Sequence, residues 1–164
     1  MNLAIFDIDG TQTESVAVDE VCFVQAFRDV LGIEGINTNW LQYNFQTDSG
    51  LALEICRHRL GRDPDSAEIN RLQSRFAELL CAAVEEAGQP IRQIPGAAPF
   101  LHWLRAHARW HVASATGGWA VSALFKLASA GLPVDGLPWA SADDALDRVD
   151  ILRMAIQRAG QHYG

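Results

Sequence analysis

The sequence predicts an α/β fold interrupted by a long helical insertion, and three observations carry that expectation. An N-terminal apolar run, Leu3-Ala4-Ile5-Phe6, stops at two acids, Asp7 and Asp9, as a buried strand entering a loop would. From Ile94 onward, short apolar runs alternate with helical periodicity, the pattern of a parallel sheet joined by right-handed crossovers. Between the two, from about Glu14 to Ile91, every signal is helical.

The elements follow in order. Val16 to Leu31 reads as a helix, with Val16, Cys22, Phe23, Phe27, Val30 and Leu31 apolar and Gly32 as its stop. Residues 35–46 are mixed and aromatic. Thr47-Asp48-Ser49-Gly50 opens a second helix containing Leu51, Leu53, Ile55, Cys56 and Leu60. The third helix is the most regular: Asp65 is a good N-cap and Glu68 completes a capping-box pattern. Ile69, Leu72, Phe76, Leu79, Leu80 and Val84 then recur at helical spacing before Gly88 and Pro90. After Ile94-Pro95-Gly96 come a helix with Phe100, Leu101, Trp103 and Leu104, and a strand at Trp110–Ala115. A helix from about Gly118 to Ala130, a strand near Leu137–Ser141 and a helix from about Leu146 to Ala159 complete the pattern.

Bulk properties narrow the function. The chain has 164 residues, enough for a core domain with a small insert. Its net charge of −7 argues against a nucleic-acid binder, and any anionic substrate must be attracted locally. No apolar run approaches a membrane span and no signal peptide is evident, so a cytoplasmic protein is expected. Cys22, Cys56 and Cys81 are widely spaced and read as buried free thiols of a reducing compartment. The five histidines show no metal-ligand spacing.

Chemistry is concentrated at Ile5-Phe6-Asp7-Ile8-Asp9-Gly10-Thr11. In extended backbone, residues i and i+2 point to the same side, so Asp7 and Asp9 stand together where a strand ends. Ligands of open α/β sheets bind at such ends. Two carboxylates there can divide labour, one attacking and one exchanging protons. A second element is Ala113-Ser114-Ala115-Thr116-Gly117-Gly118, a strand running into a hydroxyl and two glycines before a helix. Thr116 can donate a hydrogen bond, the Gly117 N–H can approach closely, and a helix N-terminus follows, all suited to an anion. Ser114, inside the strand, reads as a structural hydroxyl.

The first string resembles motif I, Asp-x-Asp-Gly-Thr, of the haloacid dehalogenase-like (HAD) hydrolase superfamily. The resemblance implies that Asp7 is a nucleophile forming an aspartyl phosphate, that Asp9 is the general acid/base, and that Mg²⁺ is the cofactor, held at Asp7 and Asp9. Gln12 departs from the family's usual Leu. Thr116 matches the Ser/Thr of motif II, with Gly117 beside it as a phosphate binder. The best match to the basic residue of motif III is Arg148, which could instead be an exposed arginine paired with Asp144 or Asp147. Lys126, the rival, reads as part of a solvated helix face. The implied fold is a Rossmann-type parallel-sheet core, residues 1–14 and 92–164, with a helical C1-type cap, residues 15–91. Cap residues select the substrate in such proteins, and the candidates here are Thr47, Asp48, Ser49 and Gly50, with Arg57 and Arg59 behind them. Asp48 could equally be a helix N-cap.

Motif IV, an apolar strand followed by an acidic pair, has no match after Arg148, so the C-terminal part of the core is expected to be missing. Two consequences are expected: a weakly held Mg²⁺, and an exposed edge on the Asp7 strand with which a second copy could pair. The reading that emerges is a Mg²⁺-dependent phosphohydrolase acting on a small phosphorylated metabolite. The alternatives are a catalytically impaired member acting as a binding protein, and a phosphomutase of the same superfamily. The region from Glu14 to Ile91 contains no lysine, which argues against phosphonatases with their cap lysine. Asp9 argues against the dehalogenases, which lack the second acid.

Overall fold

The computed structural model describes residues 1–132 and 135–164. Among them, three parallel strands form one sheet in the order β1 (Asn2–Phe6), β2 (Trp110–Ala115), β3 (Trp139–Ala140). Asn2 lies opposite Trp110 and Phe6 opposite Ser114, so β1 and β2 end level with each other. β1 takes the sheet edge, as the sequence led one to expect.

Six α-helices accompany the sheet among the described residues: α1 (Val16–Leu31), α2 (Asp48–Leu60), α3 (Ser66–Ala87), α4 (Ala97–Ala106), α5 (Ala120–Ser129) and α6 (Arg148–Tyr163). α4 packs Leu101 and Leu104 against Ala4, Phe6 and Val112 on one face of the sheet. α5 packs Ala123 and Leu127 beside Ile8 and Trp139. α6 covers the other face, where Ile151 and Ala155 meet Ile5, Ala115 and Ala140. This is the layered arrangement that alternating β and α signals imply. No helix among the described residues is long and apolar enough to cross a membrane.

The helical stretch builds its own core. Phe23 and Phe27 of α1, Ile55 of α2, and Leu72, Phe76 and Leu80 of α3 are buried together. α3 starts on the capping box read from the sequence: Asp65 accepts from the Glu68 N–H at 2.8 Å, and Glu68 accepts from the Asp65 N–H at 2.9 Å. It ends at Gly88, whose φ of 62° is the left-handed conformation glycine tolerates best. The mixed aromatic segment contains a 3-10 turn, Trp40–Gln42, that periodicity did not reveal. One residue of the α5 turn joins this cluster: Trp119 is fully buried, with Phe23 and Phe76 centroids at 5.6 and 6.0 Å.

Two expectations of burial are corrected. Cys22 and Cys56 are buried, but Cys81 is exposed on α3, because it falls on the helix face opposite Leu80 and Phe76. Lys126 is not on a solvated face: it is fully buried, paired with Asp9 and Asp19.

Candidate active site

β1 delivers the two acids. Asp7 and Asp9 follow its last residue, and both line a cavity of about 280 Å³ between the sheet's end and the helical layer. The Asp7 side chain retains about 36% exposure, with Oδ1 accepting its neighbour Ile8 N–H at 2.8 Å. Gly10 turns the chain away with φ 74°, and its N–H donates to the Thr13 carbonyl at 2.9 Å. Gln12 is buried at the position where the resemblance expects Leu. Its Nε2 donates to the Asp7 carbonyl at 3.1 Å, so the polar end is satisfied.

The carboxylate of Asp9 is held from two sides. Ser15 Oγ donates to Oδ1, and Lys126 Nζ lies 2.7 and 2.8 Å from its two oxygens. Lys126 also donates to Asp19 of α1. A buried ammonium needs paired charge, and this one has two carboxylates around it. Burial opposes the Lys126 charge, but Asp19 and Asp9 outweigh it and raise its pKa. Burial pushes Asp19 up to about 6 against the pull of Lys126. The spacing that put Lys126 on an amphipathic helix could not reveal this, because its partners lie over a hundred residues away in sequence.

Arg148 is the first residue of α6, whose N-cap is Asp147. Its guanidinium pairs with Asp7, Nη1 to Oδ2 at 3.3 Å, and its Nε donates to the Gln46 carbonyl at 3.0 Å. The alternative pairing with Asp144 is not found: Asp144 is taken by Arg158 at 2.7 Å, and Asp147 caps α6.

Thr116 is buried one residue before the cavity wall, its Oγ1 accepting from the Gly118 N–H at 3.1 Å. Gly117 lines the cavity, and a Cβ there would stand 2.8 Å from Arg148 Nη2 and 2.9 Å from the Gln46 carbonyl. The next amides are already occupied by the chain's own acids. Trp119 N–H donates to Asp48 at 2.8 Å and Ala120 N–H to Asp143 at 2.6 Å. Among the described residues, the Gly117 N–H bonds to no protein acceptor. It and Arg148 are therefore two donors this end of the cavity offers an anion.

The segment from Thr47 to Gly50 is fastened to the sheet's end. Thr47 caps α2, accepting the Gly50 N–H at 3.1 Å, while its own hydroxyl donates to the Leu146 carbonyl at 2.7 Å. Asp48 is thus not the N-cap. Its N–H donates to the Gly117 carbonyl, and burial, then the nearby Asp19 charge, raise its pKa well above the ordinary carboxylate range. Ser49 accepts the Trp119 indole N–H at 2.8 Å. Gly50 leaves room for Phe45, whose Cβ would be 2.2 Å from an added methyl. Of these four, Asp48 reaches the cavity wall. Arg57 and Arg59 are elsewhere: Arg57 pairs with Asp63, and Arg59 donates to the Glu34 and Gly35 carbonyls.

No model of a known protein family matches the chain, and no curated protein matches it. Solved structures do. A hydrolase from Pseudomonas syringae superposes with a TM-score of 0.71 at 22% identity, covering 97% of this chain and 70% of that one. CbbY from Rhodobacter sphaeroides, a mutant in complex with xylulose-1,5-bisphosphate, gives 0.69 at 20% identity, over 98% and 73%. A putative β-phosphoglucomutase from Bacteroides vulgatus gives 0.68 at 16% identity, over 98% and 63%. The chain has the haloacid dehalogenase-like fold, as Asp7-Ile8-Asp9-Gly10-Thr11 led one to expect.

Proposed function

We propose that the chain is a phosphatase-type hydrolase acting on a small phosphorylated metabolite through an aspartyl phosphate on Asp7. The observation that carries this reading is the Asp7 carboxylate itself. It stands at a strand end, open to the cavity, with Arg148 at 3.3 Å and Gly117 on the same wall. A phosphate bound there would take the Gly117 N–H and a fork of the guanidinium, both suited to developing charge on phosphoryl oxygens. An Asp7 oxygen attacks phosphorus as the ester oxygen departs with a proton from Asp9. Asp9 then takes a proton from water, which cleaves the acyl phosphate and releases inorganic phosphate.

Among the described residues no three His, Cys, Asp or Glu side chains form a metal cage. Mg²⁺ does not require one, since one or two carboxylates with waters and substrate phosphate suffice. The Asp7 carboxylate and the Asp9 carbonyl would hold a Mg²⁺ lightly, and the ion would neutralise charge on the phosphoryl group. The cytoplasm, where phosphorylated metabolites are found, is the compartment this reading implies.

One observation favours a second reading. Both Asp9 oxygens are engaged, by Lys126 and Ser15, as they would be in a protein that binds a phosphorylated ligand without turning it over. A phosphatase assay on the 164-residue chain, with and without Mg²⁺, separates the two. Turnover that is lost in Asp7→Asn, with the fold intact by circular dichroism, supports the hydrolase. Stabilisation by phosphate esters without turnover supports the binding protein.

A further inference from the structure

The cavity has two chemically unlike walls. The sheet side brings Asp7, Gly117 and Arg148; the helical side brings Val16, Glu20, Phe23, Trp40 and Leu51. Its ionisable residues are also uneven. Five lining residues are acidic, Asp7, Asp9, Asp19, Glu20 and Asp48, whereas Arg148 is the one cationic residue of the lining. Four of these acids are accounted for. Asp7 pairs with Arg148, Asp9 and Asp19 share Lys126, and Asp48 accepts the Trp119 N–H.

Glu20 stands apart. Its Oε2 accepts the Trp40 indole N–H at 3.0 Å, a neutral donor, and among the described residues no cation pairs with it. The same bond fixes Trp40, which meets Phe23 edge to face at 5.8 Å and 87°. One wall of the cavity thus presents a carboxylate without a cationic partner beside the Trp40 ring, with Phe23 packed behind it. An ammonium group is what such a wall attracts, through the Glu20 charge and through the neighbouring Trp40 ring. A second phosphate or a carboxylate would meet Glu20 with no cation to balance it, because Arg148 is committed at the other wall.

We propose that the substrate is a phosphomonoester of an amino alcohol, its phosphate at Asp7, Gly117 and Arg148 and its ammonium at Glu20 and Trp40. This rests on the phosphohydrolase reading and adds the chemical class of the leaving group. A cavity of about 280 Å³ suits a phosphate carrying a short chain. It also separates this chain from the CbbY structure, whose ligand is a bisphosphate.

The test compares three phosphomonoesters on the full chain with Mg²⁺: phosphocholine, phenyl phosphate and phosphoglycolate. Binding of each to Asp7→Asn is measured in parallel by calorimetry. Phosphocholine is expected to exceed phosphoglycolate in kcat/KM by about tenfold or more, through KM. In Glu20→Gln, the ratio of kcat/KM for phosphocholine to that for phenyl phosphate falls about tenfold, and phosphocholine binding to Asp7→Asn weakens when Glu20→Gln is added. Hydrolysis with phosphoglycolate preferred, or equal loss on all three esters in Glu20→Gln, overturns the ammonium site and leaves the hydrolase. Glu20-dependent binding of phosphocholine without hydrolysis overturns the hydrolase and leaves the ammonium site. Neither binding nor hydrolysis overturns both.

Discussion

Lys126 is a buried cation held between Asp9, just after β1, and Asp19 on α1. Removing one partner of such a group leaves uncompensated buried charge. Lys126→Met is expected to destabilise the chain by about 3–5 kcal/mol, read from urea unfolding. Lys126→Arg, which keeps the charge, should lose less. The same contact orients the Asp9 carboxylate, so Asp9→Asn is expected to slow turnover by roughly 10²–10⁴-fold, the range of general acid–base catalysis. The loss should be smaller for aryl than for alkyl phosphates, whose leaving oxygens depend more on protonation. Equal losses in steady-state kinetics on the two ester types would rule out the acid role.

At the scale of elements, the α5 turn is held by acids from elsewhere in the chain. Asp48 accepts from Trp119 and Asp143 from Ala120, filling amides that a helix N-terminus would otherwise present. Asp48 has a clear pH consequence. Its pKa is raised by burial above the usual 3.8, so the folded chain keeps a proton that the unfolded chain releases. Stability from this group is present below about pH 4 and lost as pH rises through the elevated value. Asn cannot ionise, and its oxygen still accepts the Trp119 N–H. Asp48→Asn is therefore expected to melt higher than the native chain at about pH 8, with the gain vanishing near pH 4. Each kcal/mol would appear as about 2–4 °C in thermal scans. Local signals made most elements legible: the α3 capping box, the Gly32 and Gly88 stops and β2 are where the sequence puts them. β3 is shorter than expected and α6 starts and ends later. The places of Asp7 and Asp9 after β1, and of Gly117 after β2, were legible because they follow from local sequence, whereas Thr116 is turned to the Gly118 N–H rather than to the cavity. Lys126, Trp119 and the Trp40–Glu20 contact were not, because each depends on partners brought together only by the tertiary fold.

At the scale of the whole molecule, Trp119 joins two packing units. It follows Gly117 and Gly118 in the turn that lines the cavity, yet its ring sits in the core formed by α1, α2 and α3. Trp119→Ala is expected to cost about 3–5 kcal/mol, as other large-to-small changes at buried aromatic sites do. Because the same residue donates to Asp48 and Ser49, the helical layer should also loosen relative to the sheet. Hydrogen exchange can check this: protection should fall around Thr47–Leu51 before it falls in β1 and β2.

Arg148 bonds Asp7 with one nitrogen and the Gln46 carbonyl with another. A phosphate arriving at Asp7 competes for a side chain that also clasps the helical layer. Ligand occupancy and the grip on Gln46 therefore draw on one guanidinium, and each changes the free energy of the other. If the chain hydrolyses phosphate esters as proposed, the phosphate released would act as a wedge as much as a product. Its release would let Arg148 re-form its bonds to Asp7 and Gln46, so re-forming that contact and the discharge of phosphate would be two sides of a single exchange.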